Sequence, residues 1–172
     1  VFDYLPRAYY SAFRDAKPDP VAREKMANAS AIAGIAFANA FLGINHSLSH
    51  KLGGWFHIPH GTANALLFPF VCRFNAQRHP YKMGTFSQYK YPQAFERYVQ
   101  LGELIGVKGK TDEQTFENWN KACEQLKKDI DIPETILDWL LEAHPEKSAE
   151  EWEAEFLAAV DQMSEWAFHD AC

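Results

Sequence analysis

Apolar residues in this chain recur at helical spacing and almost never alternate. In residues 1–14, Phe2, Leu5, Tyr9 and Phe13 fall roughly on one stripe. That predicts a short amphipathic helix in which Pro6 is tolerable only within the first turn. Lys17-Pro18-Asp19-Pro20 reads as a turn, with Asp19 as N-cap and Pro20 as first residue of a long helix reaching about Leu42. The second part of that helix, from Ala29, is apolar nearly all round, which predicts a buried central helix. A short helix over 44–52 follows, ended by Gly53-Gly54, and Pro59 then forces an extended residue before it. Residues 61–77 form a further buried helix, which Pro69 should kink. Residues 79–92, with His79-Pro80, Gly84 and Tyr91-Pro92, read as a long irregular excursion. Helix resumes over 93–105 and stops at Gly106. Thr111-Asp112-Glu113-Gln114 opens a helix to about Lys128 with a capping-box pattern. Asp131-Ile132-Pro133 starts a shorter one carrying Ile136, Leu137, Leu140 and Leu141 and closing near Pro145. Ser148-Ala149-Glu150-Glu151, a second capping box, opens a last helix to about Phe168. Strand signals are nearly absent, so the fold class is all-α with seven or eight helices.

Composition narrows the classes of function. At 172 residues the chain is about one domain, able to bury roughly 70% of its unfolded surface. A formal net charge of −6 and the lack of a basic stripe argue against a nucleic-acid partner. No apolar run is long enough to span a bilayer and no signal-peptide pattern is present, so no membrane partner is expected. Cys72, Cys123 and Cys172 are odd in number and widely spaced, which fits reduced thiols in a cytoplasmic protein better than a disulfide framework. There is no Gly-x-Gly-x-x-Gly turn or phosphate loop.

The chemistry concentrates between Gly43 and Gly61. That stretch holds four of the chain's seven histidines: His46, His50, His57 and His60. Imidazole is the commonest protein ligand for divalent transition metals and the usual proton carrier near neutral pH. On a helix, His46 and His50 at i, i+4 share one face, and His60 at a new helix start returns toward them. Spacing alone favours His46 with His50 as the pair and His60 as the third, supporting metal-assisted catalysis without identifying the metal. The plainer reading, histidines hydrogen-bonded within a core, stands beside it. So do the two readings of Phe37, Phe41, Trp55, Phe56 and Phe68, as walls of a small apolar pocket or as ordinary core.

The run His46-Ser-Leu-Ser-His50-Lys-Leu-Gly-Gly-Trp-Phe-His-Ile-Pro-His60-Gly61 closely resembles the signature of the iron-containing (group III) alcohol dehydrogenases: His-x-x-x-His, a Gly three further on, then Pro-His-Gly. Residues 31–43 fit as well. Phe86-Ser87-Gln88-Tyr89 with Pro92-Gln93-Ala94 looks like an insertion found in one subgroup, the alcohol dehydrogenase half of bifunctional aldehyde–alcohol dehydrogenases.

This resemblance implies an N-terminal nucleotide-binding domain, a C-terminal all-helical domain, and a site in the cleft between them. It implies Fe²⁺, or Zn²⁺ in some members, held by one Asp and three His, two of which match His46 and His60. It places His50 beside the nicotinamide ribose of NAD(H), as part of a proton relay and not as a ligand, against the ranking from spacing. Phe37 and Cys172 match positions near the substrate pocket. The implied reaction is metal-assisted oxidation of short primary alcohols with hydride transfer to NAD⁺, run in reverse to reduce acetaldehyde to ethanol in fermentation. The bifunctional relatives form filaments, so a homo-oligomer is implied. The remaining ligands belong to an Asp-x-x-x-His motif upstream of the two histidines, and no His precedes His46. That pair and the cofactor domain are therefore expected before Val1, making residues 1–172 a single helical metal-binding domain of a longer chain and inactive alone. The alternative is a helical assembly or interaction module with structural histidines and no activity of its own.

Overall fold

The computed structural model describes residues 1–14, 17–77 and 93–170. Among them are eight α-helices and no strand: α1 (Leu5–Phe13), α2 (Pro20–Ala40), α3 (Ile44–Phe56), α4 (His60–Asn75), α5 (Ala94–Leu104), α6 (Asp112–Asp129), α7 (Ile136–Ala143) and α8 (Ala149–Phe168). The all-α expectation is met. The excursion expected over 79–92, and Cys172, expected near a substrate pocket, lie outside the described residues.

Local chemistry sets most helix starts. The Asp19 carboxylate accepts from the Ala22 amide at 2.9 Å, capping α2 with Pro20 in its first turn. The Thr111 hydroxyl accepts from Gln114 N at 3.2 Å at the start of α6, while the Gln114 side chain reaches the Lys110 amide at 2.7 Å. Ser148 and Glu151 close a reciprocal capping box at α8. The shorter helix expected from residue 131 starts instead at Ile136. The device is a capping box between Thr135 and Asp138, in which each side chain takes the other's backbone amide.

Two helices depart from expectation for a tertiary reason. α3 does not end at Gly53-Gly54 but runs through both glycines to Phe56, where His57 takes a left-handed cap at φ 57°. Leu52 and Phe56, at i and i+4, are both buried in the cluster that joins α3 to Leu140 of α7 and Trp152, Ala159 and Met163 of α8. Burying two large side chains is worth about 1.5–3 kcal/mol each and outweighs the ~1 kcal/mol helix penalty of a glycine. α2 is helical as expected but is not a buried central helix: Ile32 is 67% and Ile35 66% exposed. Its all-round apolar pattern records a wish for neighbours that the described residues do not supply.

The chain divides into two compact units, one of residues 1–67 with 126–172 and the other of 68–125, with the boundary falling inside α4 just before Pro69. The first unit holds α1, α2, α3, α7, α8, the start of α4 and the last residues of α6. Its core is extended by the Trp55–Trp166 pair at 5.1 Å and the stacked Phe56–Phe156 pair at 5.6 Å. The second is built around Phe95, Val99, Phe116 and Trp119, with Tyr98 stacked on Trp119 at 4.8 Å. In that unit burial pushes the Cys72 thiol up to about 11 and the Cys123 thiol up to about 12, so both stay protonated and unreactive at neutral pH.

Glycine substitutions separate helix propensity from packing. At Gly54, exposed and helical, an added Cβ meets nothing within 4 Å. Gly54→Ala is expected to raise stability by up to ~1 kcal/mol. At Gly102 the same atom would lie 2.9 Å from Thr115 Cγ2 and 3.0 Å from Thr115 O, so Gly102→Ala is expected to cost about 1–3 kcal/mol. Urea melts of the two variants check both signs.

Candidate metal centre

His46 stands in the first turn of α3 and His60 is the first residue of α4, so two helix starts deliver the two rings to one place. The approach depends on backbone that few residues allow: Gly43, the N-cap of α3, has φ 96°. The link between the helices is only His57-Ile58-Pro59, and Ile58 is 2% exposed, which fixes where α4 begins.

The Nδ1 of His46 lies 3.1 Å from the Nε2 of His60. Two imidazole nitrogens bound to one tetrahedral ion at ~2.0–2.1 Å would stand roughly 3.4 Å apart, so the observed separation suits a shared ion. The His46 and His60 ring centroids are 5.0 Å apart, His50 stacks on His60 at 5.3 Å, and His46 and His50 are 6.5 Å apart. The closest partner of His46 is thus His60, not the i+4 neighbour that spacing alone favoured. One nitrogen from each of the three lies within 4.8 Å of the others. His57, the fourth histidine of the segment, is the exposed C-cap of α3 and stands outside this group. Phe37 reaches the cluster from α2, its ring 6.3 Å from that of His46.

Hydrogen bonds fix the protons. Ser49, fully buried, donates its one hydroxyl proton to the His46 carbonyl at 2.9 Å. Its oxygen, 3.3 Å from His60 Nδ1, must therefore accept from that ring nitrogen. His60 then carries its proton on Nδ1 and presents a bare Nε2 toward His46, the tautomer a ligand on Nε2 requires. Asn64 donates to His60 Nε2 at 3.0 Å, and Asn45 holds Asn64 by donating to its Oδ1 at 2.7 Å. Neither Ser49 nor Asn64 stood out in the sequence. Ser49 sits inside the His-x-x-x-His turn, one step before His50, where a small hydroxyl facing the next helix start was the available signal.

Burial, and then the neighbouring His60 and His50, hold the His46 imidazole below its ordinary pKa of 6.5. The ring is therefore kept neutral. Because His60 Nε2 is bare, His46 Nδ1 donates across the 3.1 Å contact, and an ion shared by the two nitrogens would displace that proton. In the metal-free chain an NMR titration should place its midpoint below 6.5. In His60→Ala the midpoint should move up, because one charge opposing protonation is gone while burial remains.

An all-helical chain in which two helix starts and the second turn of α3 bring three imidazoles together defines a class of protein, a helical domain carrying a candidate divalent-metal centre. The chain belongs to the Fe-containing alcohol dehydrogenase family: residues 4–163 match that family's C-terminal domain. It is 45% identical to the bifunctional aldehyde-alcohol dehydrogenase AdhE of Escherichia coli K12, over 99% of this chain and 18% of that protein. It is 40% identical to aldehyde-alcohol dehydrogenase 2 of Entamoeba histolytica, over 100% and 18% respectively. The NADPH-dependent butanol dehydrogenase of Clostridium saccharobutylicum is 36% identical over 93% of this chain and 35% of its own length. A crystal structure of 1,3-propanediol oxidoreductase superposes with a TM-score of 0.71 at 30% identity, covering 99% of this chain and 36% of that one. The chain thus spans 18% of the length of these two aldehyde–alcohol dehydrogenases. The family is one of oxidoreductases. Among the described residues no single helix is long and apolar enough to cross a membrane.

Proposed function

We propose that this chain is the metal-binding helical domain of an iron-dependent, NAD(H)-linked alcohol dehydrogenase that interconverts acetaldehyde and ethanol, or similarly short aldehydes and primary alcohols. The observation that carries the reading is the 3.1 Å approach of His46 Nδ1 to His60 Nε2 from two helix starts. His46 and His60 would hold Fe²⁺, or Zn²⁺, together with an Asp and a His from outside this chain. Bound there, the ion supplies Lewis acidity toward the substrate oxygen, and the nicotinamide supplies or takes up hydride. His60 is held in the ligating tautomer by Ser49, and His46 is kept neutral by its surroundings. His50, stacked on His60 but 40% exposed, is placed to pass a proton between the site and solvent. Phe37, beside His46, would form an aromatic wall that favours short substrates.

The test is acetaldehyde reduction by the parent protein with and without the segment upstream of Val1, using NADH and, because the butanol dehydrogenase relative is named as NADPH-dependent, NADPH as a second arm. Metal-dependent turnover of short aldehydes by the intact protein and none by this chain alone is expected. A parent protein that binds metal yet reduces no aldehyde would overturn the reading.

A second reading is favoured by the exposed flank of α2, where Ile32 and Ile35 face solvent. Such a surface suits packing against further chain or another subunit, and we read the parent protein as a homo-oligomer. If assembly were the whole role, the intact protein would fold normally while holding no metal.

A further inference from the structure

We propose that Asp170, just beyond α8, is a positioning residue that fixes the tautomer and aim of the His50 ring. The inference rests on the reading of His50 as the proton-carrying group. Asp170 Oδ2 lies 3.3 Å from His50 Nδ1 and 2.6 Å from Lys51 Nζ. The Asp170 and Lys51 side chains are 17% and 20% exposed, so the carboxylate is pinned in a sheltered position by a charge-assisted bond.

The two partners lie 120 residues apart in the chain and are brought together by the packing of α8 on α3. The Trp55–Trp166 contact ties the end of α8 to α3, and the Asp170 amide donates to the Ala167 carbonyl at 3.3 Å, continuing the turn that carries the carboxylate. An ionised carboxylate can only accept a hydrogen bond, so the proton of neutral His50 sits on Nδ1. Nε2 is then the unprotonated nitrogen. The same ring stacks on His60, so Asp170 and the stack together fix both the plane of the imidazole and the edge that carries its lone pair. As a positioning residue, Asp170 acts through His50. Lys51 supports it in turn, which gives the pair His50-Lys51 a joint purpose: one residue is oriented, and its neighbour holds the group that does the orienting.

Two readouts test this, and the first is independent of activity. In the metal-free chain at pH 8, long-range proton–nitrogen spectra should show His50 with its proton on Nδ1. Asp170→Ala should abolish that preference, and Asp170→Glu should restore part of it. In the parent protein, Asp170→Ala should lower kcat by about 10–100-fold, the scale for losing a partner that orients a site imidazole, with bound metal and the aldehyde KM unchanged. An Asp170→Ala chain that keeps the Nδ1-protonated tautomer overturns the proposal, and so does a parent variant with undiminished kcat. Should Asp170→Ala fail to fold, Lys51→Met loosens the same carboxylate. A shift of the His50 tautomer in that variant supports the proposal and an unchanged spectrum overturns it. If the wild-type parent reduces no aldehyde, the dehydrogenase reading fails, while the spectra still decide the role of Asp170.

Discussion

Alanine at His60 is expected to strip the metal from the parent protein and reduce aldehyde turnover to background. Loss of a residue that merely orients a ligand costs about 10–100-fold in metal affinity, and loss of the ligand itself should exceed that. His46→Ala should behave the same way, because its nitrogen and that of His60 stand 3.1 Å apart and would serve one ion. His50→Ala should separate from both. It should keep the metal and lose rate by about 10²–10⁴-fold, the usual contribution of a positioned proton-transfer group. Metal per chain by inductively coupled plasma mass spectrometry, beside NADH oxidation, distinguishes the three variants. Full activity with metal retained in His60→Ala would remove the basis for the assignment.

Ile58→Ala should be nearly as damaging without touching a ligand. Ile58 is 2% exposed and packs in the cluster with Leu52, Phe56, Ala63 and Leu140. Truncating a buried isoleucine costs about 2–5 kcal/mol, through lost transfer energy and the cavity left behind. The side chain also anchors the link that sets where His60 starts α4, so the loss should reach the site. A lower denaturant midpoint and weakened metal binding are expected together. Ile58→Val, which keeps most of the volume, should cost about 0.5–1.5 kcal/mol and leave metal binding close to wild type. If Ile58→Ala lowers the midpoint while metal affinity is unmoved, the rings are held by something other than this link.

What could be read from the sequence was local. Asp19-Pro20 and Ser148-x-x-Glu151 announced their helices because a cap is settled within four residues. Thr135-x-x-Asp138 is the same kind of signal, and it rather than the nearby Pro133 sets the start of α7. The continuation of α3 through Gly53 and Gly54 was not local. It depends on Leu52 and Phe56 meeting α8, about a hundred residues later in the chain, and nothing near the glycines reports that. The bareness of α2 has the same origin, since an apolar pattern states that a surface needs covering but not what covers it.

The candidate site divides along similar lines. The histidine cluster was legible because its members lie within fifteen residues and three of them converge as the motif suggested. The order of partners was not, because helical spacing brings His50 near His46 while the turn at Pro59 brings His60 nearer. Ser49, Asn64 and Asp170 were invisible for a chemical reason. Each acts by holding an imidazole through one hydrogen bond, and such a role has no residue-type signature. The Asp-x-x-x-His motif that the family resemblance implies has no counterpart before His46 in this sequence.

The most direct measurement is anomalous diffraction at the iron absorption edge from crystals of the parent protein. The expected result is one strong peak bonded to ring nitrogens of both His46 and His60, with His50 beside it and unbonded. A peak elsewhere in the protein, or one with the His46 and His60 rings turned away from it, would contradict the assignment.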